Sequence, residues 1–194
     1  KVGTILFNMA LHPGSDNIWV ANTEARNLVR FEPALRGHVV DNRVSVINRK
    51  QGVISSVWDL NEGLDYSRIP NESALESSLA QPTDLVFNQT GTMAFVTSYG
   101  TDRIGILDEH GNVTNRIEVG ESAGAITNTR NKRGPRALAL HPGEQVLYAL
   151  NRLSNSISVI DLSVTRQTSE IEMQDPTPLK MREGRGYLFD AKLS

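Results

Sequence analysis

Residues 137–161 read "ALALHPGEQVLYALNRLSNSISVID", and the same pattern occurs twice more in this chain of 194 residues. Moved back by 53 positions, the stretch falls without a gap on "DLVFNQTGTMAFVTSYGTDRIGILD", residues 84–108. Tyr148 then meets Phe95, Asn155 meets Asp102, Ile157 meets Ile104 and Asp161 meets Asp108. Moved back by 129, His141-Pro142-Gly143 meets His12-Pro13-Gly14, Tyr148 meets Trp19, Asn151 meets Asn22 and Asp161 meets Glu32. A broken copy at an offset of 41 places Pro135, Leu138, Gly143 and Tyr148 on Pro176, Leu179, Gly184 and Phe189. Self-similarity at a fixed spacing is the signature of a repeat architecture. The shortest offset is the basic period, and the longer ones are that period with insertions.

Within a unit the hydrophobic period is two. "ALAL" and "VLYAL" have the length of buried strands, and "ISVID" alternates apolar and polar positions. "HPGEQ", "HPGSD" and "NQTGT" separate the first two runs with the residue types that tight turns need. A more polar strand follows, "RIEV" at 116–119 and "SEIEM" at 169–173. Four antiparallel strands in about 40 residues, repeated, describe a β-propeller blade. The expectation is an all-β protein, a partial or open β-propeller over residues 1–194 with about three blades and the start of a fourth. Its units span about 4–60, 82–120, 135–175 and, incomplete, 176–194. In the first unit both "NLVRFEP" (27–33) and "NRVSVIN" (42–48) fit the third strand, with "VISSVWDL" (53–60) outermost.

The repeat resembles the YVTN-type propeller family in its P-x-x-hydrophobic start, its Pro-Asp-Gly-like turn and its hydrophobic-Ala-Asn, S-V-I-D core. "IWVAN" (18–22) carries that core, while "FVTS" (95–98) departs from it with Ser98 at the Asn position. The resemblance implies the fold; function is not implied, because propellers host unrelated activities. A second resemblance lies at the end of the chain. In "REGRGYLFDAKLS" (182–194), Gly184, Arg185, Phe189, Asp190, Leu193 and Ser194 resemble the G-R-x-x-F-x-D-x-x-L-S lead-in to the haem domain of di-haem cytochrome c peroxidase-like proteins. It implies a parent that is a peroxidase-like oxidoreductase of the bacterial periplasm, cell envelope or exterior. No C-x-x-C-H is present, so no cofactor is expected in this chain itself.

A net charge of −2 argues against nucleic acid as a partner, and no apolar run reaches the length of a membrane span. Cysteine is absent, which excludes disulfides and thiolate metal ligands here. The chain starts without Met and breaks off inside a unit, as a piece of a longer protein would.

The candidate chemistry is sparse. His12 and His141 share a repeat position, so both are expected in the turn between first and second strands rather than in a converging site. "GESAG" (120–124) fits a nucleophile elbow at Ser122, but "AITNTRNKRGP" after it has no helical stripe, so a loop between blades is expected. Asp108, Asp161 and Glu32 recur at one position, where a carboxylate can accept backbone N–H bonds of the next turn. Trp19 and Tyr148 are expected to fill gaps between blades, and Trp58 either core or a contact surface. "RNKR" (130–133) reads as a solvated loop.

The insertions at 61–81 and 120–134 join blades and so emerge on the same side as the turns between second and third strands. Insertions gathered on one side of a repeat array commonly mark its binding side. Arg26, Tyr99, Arg103, Arg130, Arg133 and Arg152 are the binding-face candidates. The expected function is therefore a non-catalytic interaction or domain-scaffolding module that meets a protein partner or an adjacent domain. The rivals are part of a haem peroxidase-like enzyme or a lactonase-like propeller that uses loop residues. Unpaired strands at both ends, around Leu6–Leu11 and Tyr187–Ala191, also predict an edge-to-edge oligomer or an arc completed by further sequence.

Overall fold

The structure is a computed structural model that describes residues 2–27, 38–68, 70–121, 123–126 and 128–192. Three four-stranded antiparallel sheets follow one another along the chain. Blade one contains β1 (Ile5–Leu11), β2 (Ile18–Ala25), β3 (Val40–Asn48) and β4 (Val53–Asp59). A short helix α1 (Glu72–Ser77) precedes blade two, with β5 (Pro82–Phe87), β6 (Met93–Ser98), β7 (Arg103–Asp108) and β8 (Val113–Glu118). A 3₁₀ turn (Thr129–Asn131) leads to blade three, with β9 (Pro135–Leu140), β10 (Val146–Asn151), β11 (Ser156–Asp161) and β12 (Arg166–Glu172). Helix α2 (Leu179–Phe189) ends the described chain. The inner strands β1, β5 and β9 lie side by side, as in an arc of a propeller.

The register repeats with the sequence. Trp19 pairs with Val46, Phe95 with Ile106 and Tyr148 with Val159, one position in three blades. This pairing makes "NRVSVIN" the third strand of the first unit; "NLVRFEP", with Glu32, falls almost entirely outside the described residues. The turn carboxylates behave as expected, because Asp108 accepts from the backbone N–H of His110 and Asn112, and Asp161 from that of Ser163. In blade one Asn48 does the same for Gln51. His12 and His141 each accept from the N–H two residues on, Gly14 and Gly143, at 3.1 and 3.0 Å.

Two cores hold the arc together, one between each pair of blades. Trp19, Val44, Val46 and Leu60 of the first unit meet Leu79, Leu85, Val96 and Leu107 of the second. Phe95, Ile104, Ile106 and Ile117 meet Leu147, Ala149 and Ile160 of the third. Trp58 belongs to the first core, stacked edge-on against Trp19 with ring centroids 4.5 Å apart. A polar girdle joins the inner strands: the buried Asp84 carboxylate accepts from Asn8 Nδ2 at 2.6 Å and from Leu138 N at 2.7 Å.

Gly111, in the β7–β8 turn, shows how closely blades one and two fit. Its φ is +83°, and a Cβ there would stand 2.0 Å from the Trp58 ring. A left-handed backbone costs a side-chain-bearing residue roughly 1–2 kcal/mol, and overpacking about 1–3 more. Gly111→Ala is therefore expected to lower stability by about 2–5 kcal/mol in urea unfolding. A loss below about 1 kcal/mol would mean that Trp58 moves aside freely.

One expectation is corrected. Residues Tyr187–Ala191, expected as a strand of the incomplete fourth unit, fall instead in α2 and the turn after it. Three of the four residues that matched the repeat, Leu179, Gly184 and Phe189, lie in "LKMREGRGYLF", a segment of mostly good helix formers with no Pro-Gly or Asn-Gly turn to reverse the chain.

Candidate functional site

The β2–β3, β6–β7 and β10–β11 turns and the connections between blades all emerge on one side, as antiparallel topology requires. Asp102 and Asn155, one repeat apart, both take the left-handed conformation with φ 54°. Asp and Asn tolerate that region better than most residues.

Arg103 follows directly, and it is 0% exposed. Its Nε donates to Glu118 Oε1 at 2.8 Å, and Nη1 donates to the Ser78 carbonyl at 2.9 Å. Nη2 donates to the carbonyls of Leu75 at 2.8 Å and Gly124 at 2.7 Å. This residue, expected on the binding face, instead pins both insertions to blade two, with its fork occupied inside the fold. Arg133 is likewise committed: it pairs with Glu170 at 2.8 Å.

Lys132 is buried as well, in a run expected to be solvated. Its Nζ lies 3.0 Å from Asp190 Oδ1 and 3.6 Å from Asp102 Oδ2. Thr129 Oγ1 donates to Asp190, and the N–H groups of Arg133 and Gly134 donate to Asp102. Burial raises the Asp102 pKa above its ordinary value, opposed first by Lys132 and then by the two backbone donors. The same cluster seats the end of α2: Ala191 N donates to the Gly100 carbonyl at 2.9 Å, and Lys192 Nζ to that of Gly124 at 2.9 Å. Gly186 approaches so closely that a Cβ would meet the Thr129 carbonyl oxygen at 1.9 Å.

At blade one, Arg26 pairs with Asp41 at 3.3 Å, and His38 Nε2 lies 2.7 Å from the same carboxylate. His38 stacks on Tyr66 with centroids 3.5 Å apart, and burial, with Asp59 and Asp41 nearby, pushes the Tyr66 pKa up to about 12. Arg130 is exposed and borders a cleft of about 350 Å³ between blade three and α2, where Arg182, Glu121 and Glu183 also lie.

A second cavity, about 380 Å³, opens at the inner-strand edge of the arc. Tyr99, Arg136 and Arg152 line it with Thr83, Ile5, Phe7, Val40 and Phe189. Tyr99 is half-buried, which raises its pKa, while Arg152 and Arg136 pull it down. Its ring stands edge-on to Phe189, centroids 5.6 Å apart. Of the six residues expected on the binding face, Tyr99 and Arg152 thus meet in this cavity, while Arg130 and Arg133 border the cleft beside α2. Arg136 was missed; the signal was a charged residue inside the apolar strand "PRALAL". Ser122 lies outside the described residues. Among those residues, no group of three or more His, Asp or Glu could hold a metal ion, and no helix is long and apolar enough to cross a membrane.

Inner strands side by side, four-stranded sheets and loops gathered on one side define a β-propeller segment. Residues 71–188, more than half of the chain, match the family described as Lactonase, 7-bladed beta-propeller, and the chain belongs to that family. A 6-phosphogluconolactonase of Erwinia tasmaniensis is 38% identical over 78 residues, a stretch covering 39% of this chain and 21% of that protein. Among solved structures, Kuenenia stuttgartiensis hydrazine synthase is similar with a TM-score of 0.60 and 18% identity, over 84% of this chain and 47% of that one. A catalytically inactive virginiamycin B lyase from Staphylococcus aureus, solved with quinupristin, has a TM-score of 0.55 and 17% identity, over 92% and 44%. Both likenesses concern the fold. The chain spans about a fifth of the curated relative and less than half of either structure.

Proposed function

We propose that this propeller segment is a scaffold that holds the start of an adjacent domain against its loop side, in a protein of the bacterial periplasm or cell envelope. The observation that supports it is the buried Asp102–Lys132–Asp190 cluster, which joins loops of blade two to the end of α2. The docked piece includes Gly184, Arg185, Phe189 and Asp190, four of the residues that resemble the lead-in to a haem domain. Most of the loop-side arginines are engaged within the fold, which suits a scaffold better than a free recognition surface. The expected result is slow hydrogen exchange at the Ala191 and Lys192 amides, lost in Asp190→Ala. Fast exchange there in the unaltered protein would overturn the docking.

The family and the curated relative favour a second reading, a propeller that hydrolyses a lactone in the cavity around Tyr99. Incubating the purified protein with 6-phosphogluconolactone separates the two. The scaffold reading expects only the spontaneous rate. Acceleration that depends on Tyr99 and Arg152 would establish the second reading instead.

A further inference from the structure

We propose that the inner-edge cavity is a binding site for a small organic anion, a carboxylate or phosphate monoester carried on an apolar body. The proposal concerns binding and stands whether or not a ligand is turned over there.

Arg26, Arg43, Arg49, Arg103 and Arg133 each face a carboxylate within 3.3 Å. Arg136 and Arg152 are among the arginines that form no ion pair within the described residues, and the cavity they share has no carboxylate in its lining. Arg136 comes from β9 and Arg152 from the β10–β11 turn, so two separate backbone segments bring like charges together. One N–H of Arg136 donates to the Thr83 carbonyl at 3.1 Å, which holds the guanidinium in place. Two guanidiniums that face one cavity without a carboxylate partner repel each other, and a bound carboxylate or phosphate turns that repulsion into charge-assisted hydrogen bonds. Both side chains keep an exposed portion, so the ligand can reach them from solvent.

The rest of the wall sets the body of the ligand. Phe7, Val40 and Phe189 come from β1, the start of β3 and the end of α2 and face the same space. Tyr99 adds a phenol beside the two arginines, neutral and able to donate near pH 7. A cavity of about 380 Å³ suits a molecule of roughly one ring with its head group. A free inorganic ion would leave the aromatic side unused.

The test uses the full chain and four probes in calorimetric titration: phenyl phosphate, benzoate, benzamide and inorganic phosphate. Phenyl phosphate and benzoate are expected to bind, and their ranking tells which head group the arginines prefer. Benzamide, which has the same ring without the charge, is expected to bind at least about tenfold more weakly, as is inorganic phosphate. Replacing both arginines, Arg136→Ala with Arg152→Ala, is expected to weaken the aromatic anions at least about tenfold. Arg136→Gln with Arg152→Gln keeps the side-chain bulk and gives the same reading should the alanine protein fold poorly. Equal binding of benzamide, unchanged binding in the arginine variants, or no binding of either aromatic anion overturns the site. Inorganic phosphate binding as tightly as phenyl phosphate overturns the role of the apolar wall.

Discussion

Lys132→Met is expected to destabilise the protein by about 3–5 kcal/mol at neutral pH, because it leaves buried carboxylates without their cation. Asp102 and Asp190 both lie against Lys132 with almost no solvent access. Each retains hydrogen-bond donors, the N–H groups of Arg133 and Gly134 on one and Thr129 Oγ1 on the other. Those donors reduce the cost without neutralising the charge. The loss is also expected to depend on pH in a definite direction. Burial already holds the Asp102 pKa above 3.8 in the folded state, and Lys132 is the main group pulling it down. Removing that cation raises the folded value further. A carboxyl whose folded pKa is raised contributes stability that is fully present below about 3.8 and is lost as pH rises through the folded pKa. The deficit of the variant should therefore be largest at pH 7 and shrink on acidification toward pH 4. Urea unfolding of both proteins across that range measures it. A deficit that stays constant with pH would show that Asp102 does not carry the charge.

A loss of similar size, about 3–5 kcal/mol, is expected for Arg103→Ala, for a different reason. Glu118 keeps 31% of its side chain exposed, so it regains water when its partner goes. The larger cost lies in the carbonyls of Leu75, Ser78 and Gly124, which lose their donor where both insertions meet blade two. Two comparisons separate these contributions. Glu118→Gln keeps an acceptor and should cost only about 1 kcal/mol. Arg103→Lys restores the charge but not the planar fork, and should recover about half of the stability. Hydrogen exchange should quicken in residues 72–79 and at 123–126, while the strands of blade three stay protected. A Lys variant as stable as the original would mean that the ion pair, not the fork, holds the loops.

How much of this was legible beforehand depended on the range of the interaction. The strand pattern, the turn histidines and the turn carboxylates at 108 and 161 were readable because each is a local arrangement repeated at a fixed offset. Pairings of Trp19, Phe95 and Tyr148 with the third strand follow that repeat. The third strand of the first unit was not readable, since two segments carried the same local alternation and only pairing with β2 distinguishes them. The end of the chain misled for a similar reason, because four matching residues imitate a unit when no turn is required of them.

For the candidate site, local sequence could bring residues to the loop side but could not say which of them reach solvent. Arg103 and Arg152 stand beside turns of the same kind, yet only Arg103 is covered, by insertions some 25 residues away along the chain. "RNKR" looks like a hydrated basic run until Asp102 and Asp190 arrive from either side of Lys132. What the sequence by itself determined was the repeat, and with it the blade, because strand alternation and turn chemistry act between near neighbours. Which charges are buried, which are paired and which arginines face a cavity without a carboxylate was decided by tertiary structure alone, because burial and ion pairing depend on groups brought together from distant parts of the chain.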